Sequence, residues 1–159
     1  MSKVIGSLLL ALSISLFCIG NLYAGGLSSH FVEEKMDDLK PGKSYSVKEV
    51  TKRALSIENT TTDVTFDIEI TTEKPVDYNL VPGYEPIPDL SWVKIERNYF
   101  KDIGPGGSAE TDMTITIPDS KEYYGKKYQV YIYSHTAGQA TFRVGIMGRL
   151  LLNTAPSSK

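Results

Sequence analysis

Hydrophobic and polar residues alternate along most of the chain with a period of two, the pattern of strands that bury one face. The longest example runs from Lys126 to Leu152. Tyr128, Val130 and Ile132 fall on one side, and Gln129, Tyr131 and Tyr133 on the other. A turn is expected over Ser134–Gln139, where Gly138 is free to take positive φ, and the return strand carries Phe142, Val144, Ile146 and Leu150. A hairpin this apolar is not stable alone in water, so it predicts a second sheet packed against it.

The rest of the chain supplies that sheet. Val64, Phe66, Ile68 and Ile70 alternate with Thr65, Asp67, Glu69 and Thr71. Shorter strands are expected at Tyr45–Val50, at Leu55–Asn59 with Leu55 and Ile57 inward, and at Ser91–Glu96 with Val93 and Ile95 inward. Another is expected at Thr111–Pro118 with Met113, Ile115 and Ile117 inward. Pro41–Gly42, Asn59–Asp63 and Gly104–Gly107 are the turn signals between them. About seven strands at this spacing predict an all-β fold, a single antiparallel β-sandwich, and no helical period competes.

Two stretches break the rhythm. Asn98–Ser108 reads as a connection. Glu73–Leu90 contains Pro75, Pro82, Pro86 and Pro88, which exclude a central strand and predict a long, stiff loop carrying Tyr78, Leu80, Val81, Tyr84 and Ile87. The chain start has the order of a secretory signal peptide: Lys3, an apolar run from Val4 to Ile19, and Ala24 before Gly25–Gly26. The run is shorter than the ~20 residues of a spanning helix. The expected organisation is a signal peptide at 1–24, an extended N-terminal arm at 25–40, the sandwich at 41–152 and a flexible tail at 153–159. A short helix around Val32–Leu39 is the alternative for the arm.

Two stretches, Leu39–Ile70 (LKPGKSYSVKEVTKRALSIENTTTDVTFDIEI) and Ile103–Ser134 (IGPGGSAETDMTITIPDSKEYYGKKYQVYIYS), carry a resemblance. Each joins a Pro–Gly or glycine-rich turn to an alternating strand, and a Tyr–Gly corner opens the strand after the second. Together they resemble bacterial extracytoplasmic immunoglobulin-like domains of cell-surface and periplasmic proteins. The resemblance implies an immunoglobulin-like sandwich. Tyr128 is similar to a tyrosine corner, with Tyr124 as the alternative. The cysteine pair of antibody domains is absent, and Phe66 and Trp92 are the large residues expected to fill that space.

Cys18 is the only cysteine and lies in the leader, so the exported chain has no disulfide and must rely on a packed core. The formal net charge is −2, and loss of Lys3 with the leader makes it one unit more negative. That mild acidity predicts no nucleic-acid partner. Membrane contact is expected only through the export signal.

Catalytic patterns are lacking. The exported chain has His30 and His135 but no Gly-x-Ser-x-Gly elbow and no His-Glu-x-x-His pair. Loop and strand carboxylates, Asp67, Glu69, Glu85 and Asp89, leave a small envelope hydrolase or enzyme subunit as an alternative. A strand-pairing protein like a pilus chaperone is a second. No metal and no cofactor is expected. The reading with most support is a non-enzymatic binding or structural module of the bacterial cell envelope, extracytoplasmic, with an envelope protein or surface glycan as partner. Its expected surface is Tyr131 and Tyr133 on the outer face of their strand together with Tyr84 and Ile87 of the proline loop. Either the loop covers the tyrosines or both face a partner.

Overall fold

The computed structural model describes residues 26–138 and 143–157. The signal peptide, Cys18, Gln139, Phe142 and the last two residues of the tail lie outside them. Twelve strand segments are present among the described residues: β1 (Leu27–Ser29), β2 (Glu33–Leu39), β3 (Ser44–Ser46), β4 (Leu55–Asn59), β5 (Phe66–Glu73) and β6 (Glu85–Pro86), then β7 (Val93–Ile95), β8 (Tyr99–Ile103), β9 (Ser108–Thr111), β10 (Met113–Thr116), β11 (Lys127–Ala137) and β12 (Gly145–Thr154). The segments outnumber the seven expected strands partly because bent strands count twice. β9 and β10, for example, are separated only by Asp112.

One layer is a six-stranded sheet in the order β2-β12-β11-β5-β8, with β6 beside β11. Two three-stranded sheets, β1-β4-β9 and β3-β10-β7, face it across a single apolar core. The alternating residues behave as their period dictates. Leu55, Ile57, Ile68, Ile70, Met113, Ile115, Ile117, Val130, Ile132 and Leu150 are all buried. Trp92 joins the core in a 3-10 turn, edge-on to Tyr123 at 4.8 Å and to Tyr128 at 5.6 Å. Phe66 is only half-buried, so Trp92 rather than Phe66 is the large residue of the core centre.

The structure corrects several expectations. Residues 26–40 are extended, as expected, and not a helix, but they are built into the sheets and do not form a separate arm. β1 pairs antiparallel with β4, the chain crosses between layers at His30–Val32 with Phe31 buried, and β2 then pairs in parallel with β12. Gly148 allows the crossing: a Cβ there would fall 2.7 Å from Phe31 Cδ1. The strand expected over Tyr45–Val50 stops at Ser46 and turns into α1 (Val47–Thr51). Ser46 is its N-cap, accepting from Glu49 N–H at 2.9 Å and donating to Asp112 at 2.5 Å.

Val64 lies outside β5 and is exposed. The 98–108 connection contains all of β8. A register shift against β5 and a positive φ of 56° at Asp102 break its alternation, which hid the strand. β11 runs on through Ser134, His135, Thr136 and Ala137, so those residues are strand, not turn. The tail begins later than expected. β12 extends to Thr154, and Ala155 donates to Leu39 O and accepts from Gly125 N–H, both at 2.9 Å.

Candidate functional site

The outer face of the six-stranded sheet carries the odd-numbered residues of β11 and β12. The registers place them in rows across the strands. One row is Glu33, Arg149, Tyr131 and Glu73; the next is Met147, Tyr133 and Thr71; the third is Gly145, His135, Glu69 and Tyr99. Arg149 is held in the first row by Glu33 at 3.3 Å.

The proline loop covers one end of this face. Gln129, polar and fully buried, is its anchor. Its side chain accepts from Val81 N–H at 2.8 Å and donates to Asn79 O at 3.0 Å. The Tyr131 hydroxyl donates to the same carbonyl at 3.1 Å. A second anchor lies further along, where Ile87 N–H donates to Gln129 O at 2.9 Å and the Ile87 side chain is wholly buried.

The four residues singled out by the sequence therefore part company. Ile87 belongs to the core and offers nothing to a partner. Tyr131 clamps the loop. Tyr84 is half-buried in the loop, with the Lys127 ammonium 5.9 Å from its ring centroid. Tyr133 lies beyond the loop's hydrogen-bonded anchors and stacks beside His135, ring centroids 4.9 Å apart. The loop thus covers part of the aromatic strip and leaves part open. The pinned loop also presents Tyr78, 87% exposed, at a 3-10 turn, beside exposed Val76. Spacing along a proline-rich stretch carries no face information, so the sequence did not single out Tyr78.

Two of the four candidate carboxylates serve as hydrogen-bond acceptors within the fold. Asp67 accepts from Asp102 N–H at 2.9 Å and from the Tyr99 hydroxyl at 2.7 Å, and these bonds hold its carboxyl below the usual range. Asp89 accepts from Ser91 N–H at 2.8 Å as a turn cap and is lowered by that bond. A general acid needs the opposite, a carboxyl kept protonated near neutral pH. Glu69 lies 3.8 Å from His135 Nε2, and Glu85 lies 3.6 Å from Lys126 Nζ. Among the described residues no three His, Cys, Asp or Glu side chains gather as metal ligands, and no helix is long and apolar enough to cross a membrane.

Solved structures share this fold. The ASH/PapD-like domain 7 of human CEP192 superposes with a TM-score of 0.59 at 10% identity, over 84% of this chain and 87% of that one. The fold is an all-β, immunoglobulin-like β-sandwich, similar to that of this PapD-like domain. A putative carbohydrate-binding protein from Bacteroides ovatus matches with a TM-score of 0.58 at 13% identity; this chain spans 82% of its own length but 37% of that protein. The class 5 fimbriae chaperone CfaA reaches 0.48 at 15% identity, covering 83% and 57% of the two chains, too distant to bear on the site. Likeness at these identities concerns the fold. No family model and no curated protein sequence matches the chain.

Proposed function

We propose that this chain is a non-enzymatic binding module exported to a bacterial cell envelope, where it holds an envelope protein or surface glycan. The contact surface is the open part of the outer sheet face, around Tyr133, with the pinned proline loop and its Tyr78 and Tyr84 as the flanking wall. One observation carries this reading. Gln129 and Tyr131 fasten a long apolar loop onto half of an aromatic face, yet the other half stays open. A loop immobilised in advance loses little entropy on binding. The leader pattern of residues 1–24 supports export.

The alternatives find less support. Asp67 and Asp89 are ionised structural acceptors, which suits neither to be the general acid of a carboxylate hydrolase. The free edge strand β2 carries Glu33, Lys35 and Asp37, all exposed, followed by Asp38 at φ 57°, and such charged, kinked edges discourage strand addition.

The test is retention of the full chain, expressed with its leader, in the envelope fraction. Tyr133→Ser with Tyr78→Ser is expected to release the protein while the thermal transition stays cooperative, since neither hydroxyl is part of the loop clamp; the packing lost with the half-buried Tyr133 ring lowers the melting temperature without unfolding the domain. Undiminished retention of that double variant sinks the proposal. N-terminal sequencing of the exported protein is expected to begin near Gly25; a chain beginning at Met1 removes the export part.

A further inference from the structure

β12 begins at Gly145, but β2 covers the edge away from β11 only from Arg149 onward, where Arg149 N–H donates to Val32 O at 2.9 Å. The even-numbered residues of this strand bond to β11, as the 2.8 Å bond from Thr136 N–H to Val144 O shows. The odd-numbered residues therefore point their N–H and C=O groups at the other edge. Arg149 and Leu151 meet β2 there. Gly145 and Met147 meet no strand on that side, and among the described residues neither makes a backbone hydrogen bond across it. The stretch Gly145–Gly148 is also uncharged, unlike β2 with its Glu33, Lys35 and Asp37. A neutral edge with unpaired donors and acceptors is a template for one more strand.

A pocket of about 170 Å³ lies beside this edge, between the two layers. Phe31, Leu55, Ile57 and Ile132 are buried and form its walls, while Val32 and Met147, 67% and 48% exposed, stand at its mouth. Ser134 makes the room. It follows Val130 and Ile132 on the inner face of β11, and its short side chain stands where a branched aliphatic one would fill the space. A cavity of about 150 Å³ lined by aliphatic and aromatic residues admits a benzene ring. This pocket therefore has room for one leucine, isoleucine or phenylalanine side chain.

We infer that Gly145–Gly148 accepts an extended segment of a partner protein, which joins the sheet in line with β2 and inserts one apolar side chain into the pocket. This is a contact additional to the outer face around Tyr133, and it stands or falls separately. The backbone groups select the class of partner. The Met147 N–H and C=O pair with the C=O and N–H of an extended chain, a repeating pair that a glycan or a lipid tail does not offer. Side chains of the added strand alternate, so every second one points between the layers, toward the pocket. An apolar anchor there leaves water completely, whereas a carboxylate in the same place finds no partner. A second copy of this chain cannot supply the anchor, because Ile146 and Gly148 of its own edge already line its own pocket.

The experiment is an NMR titration of the exported full chain with blocked peptides of the form Lys-Thr-Ser-Thr-X-Thr-Ser-Thr-Lys, where X is leucine, isoleucine, phenylalanine or aspartate. At least one apolar X is expected to slow hydrogen exchange of the Met147 amide at least about tenfold and to shift the Ile57 and Ile132 methyl signals, and the aspartate peptide to do neither. Met147→Pro removes the N–H that faces the edge without removing a bond to β11, and is expected to weaken peptide binding at least about tenfold. Ser134→Ile fills the pocket and is expected to do the same. Thermal melts run alongside, so a loss of binding counts only in a folded variant; if neither variant folds, the peptide set decides. The inference is overturned if no apolar peptide protects Met147, if the aspartate peptide binds as well as the others, or if either folded variant binds like the wild type. A Met147 amide already protected without peptide, in a chain that sediments as a dimer, assigns the edge to a second copy and overturns it too. None of these outcomes touches the outer-face reading, which the Tyr133→Ser with Tyr78→Ser variant tests by itself.

Discussion

Replacing Gln129 by alanine tests how the loop is held on the sheet. Gln129 is wholly buried, and its amide makes two bonds to the loop, from Val81 N–H and to Asn79 O. Asn79 O keeps the Tyr131 hydroxyl as a partner after the substitution, so only the Val81 N–H is orphaned. A lost net hydrogen bond costs about 1 kcal/mol, and a buried donor left unsatisfied about 1–3 kcal/mol. The expected destabilisation is therefore about 2–4 kcal/mol. At roughly 3–5 °C per kcal/mol for a domain of this size, the melting temperature falls by about 6–20 °C if the loop and sandwich unfold together.

Ile87 gives the loop a second anchor, so the nearer end, around Val76–Val81, loosens first. Hydrogen exchange at the Val81 amide accelerates more than at Ile87, whose N–H still donates to Gln129 O. Tyr131→Phe removes one bond from a carbonyl that keeps another and costs about 1 kcal/mol or less. Chemical denaturation with residue-resolved exchange reads all three quantities. A Gln129→Ala variant within about 0.5 kcal/mol of wild type, with Val81 protection unchanged, refutes the clamp.

Ile68→Ala and Ile132→Ala, both at wholly buried positions, are each expected to destabilise by about 2–5 kcal/mol in urea melts, while the outward Glu69→Ala stays within roughly 0.5 kcal/mol. Asp67 should titrate below the ordinary carboxylate value when followed by NMR, because the Asp102 amide and Tyr99 hydroxyl bond its ionised form. That stabilisation is present above the unfolded value near pH 3.9 and is lost as pH falls through the folded midpoint, so Asp67→Asn narrows its stability gap to wild type in strong acid. Burial against Trp92 pushes the Tyr128 hydroxyl up to about 12. In an ultraviolet titration one tyrosine is expected to ionise well after the exposed ones, and stability is present below pH 10 and lost as pH rises through about 12. Ionisation of every tyrosine near pH 10 in the folded protein contradicts the packing.

The sequence by itself determined which residues of each regular strand face inward. Ile68 and Ile70, Met113 and Ile115, and Val130 and Ile132 are all buried because alternation along a strand is a local property, set by the pleat. It also marked the proline loop as exceptional. Where local geometry is irregular the pattern fails: β8 with its shifted register, the sheet-crossing pair β1 and β2, and the capped turn α1 had no period to read.

The site was legible only in part, for a different reason. Gln129, Tyr131 and Tyr133 are equivalent in the pattern, all outward. Yet the first is buried, the second clamps a loop and the third packs against Gly145. Those fates depend on Asn79 and Val81, about fifty residues earlier, and on the facing strand's glycine. Which outward residues are covered is decided by contacts between distant segments, and only the tertiary structure brings those segments together.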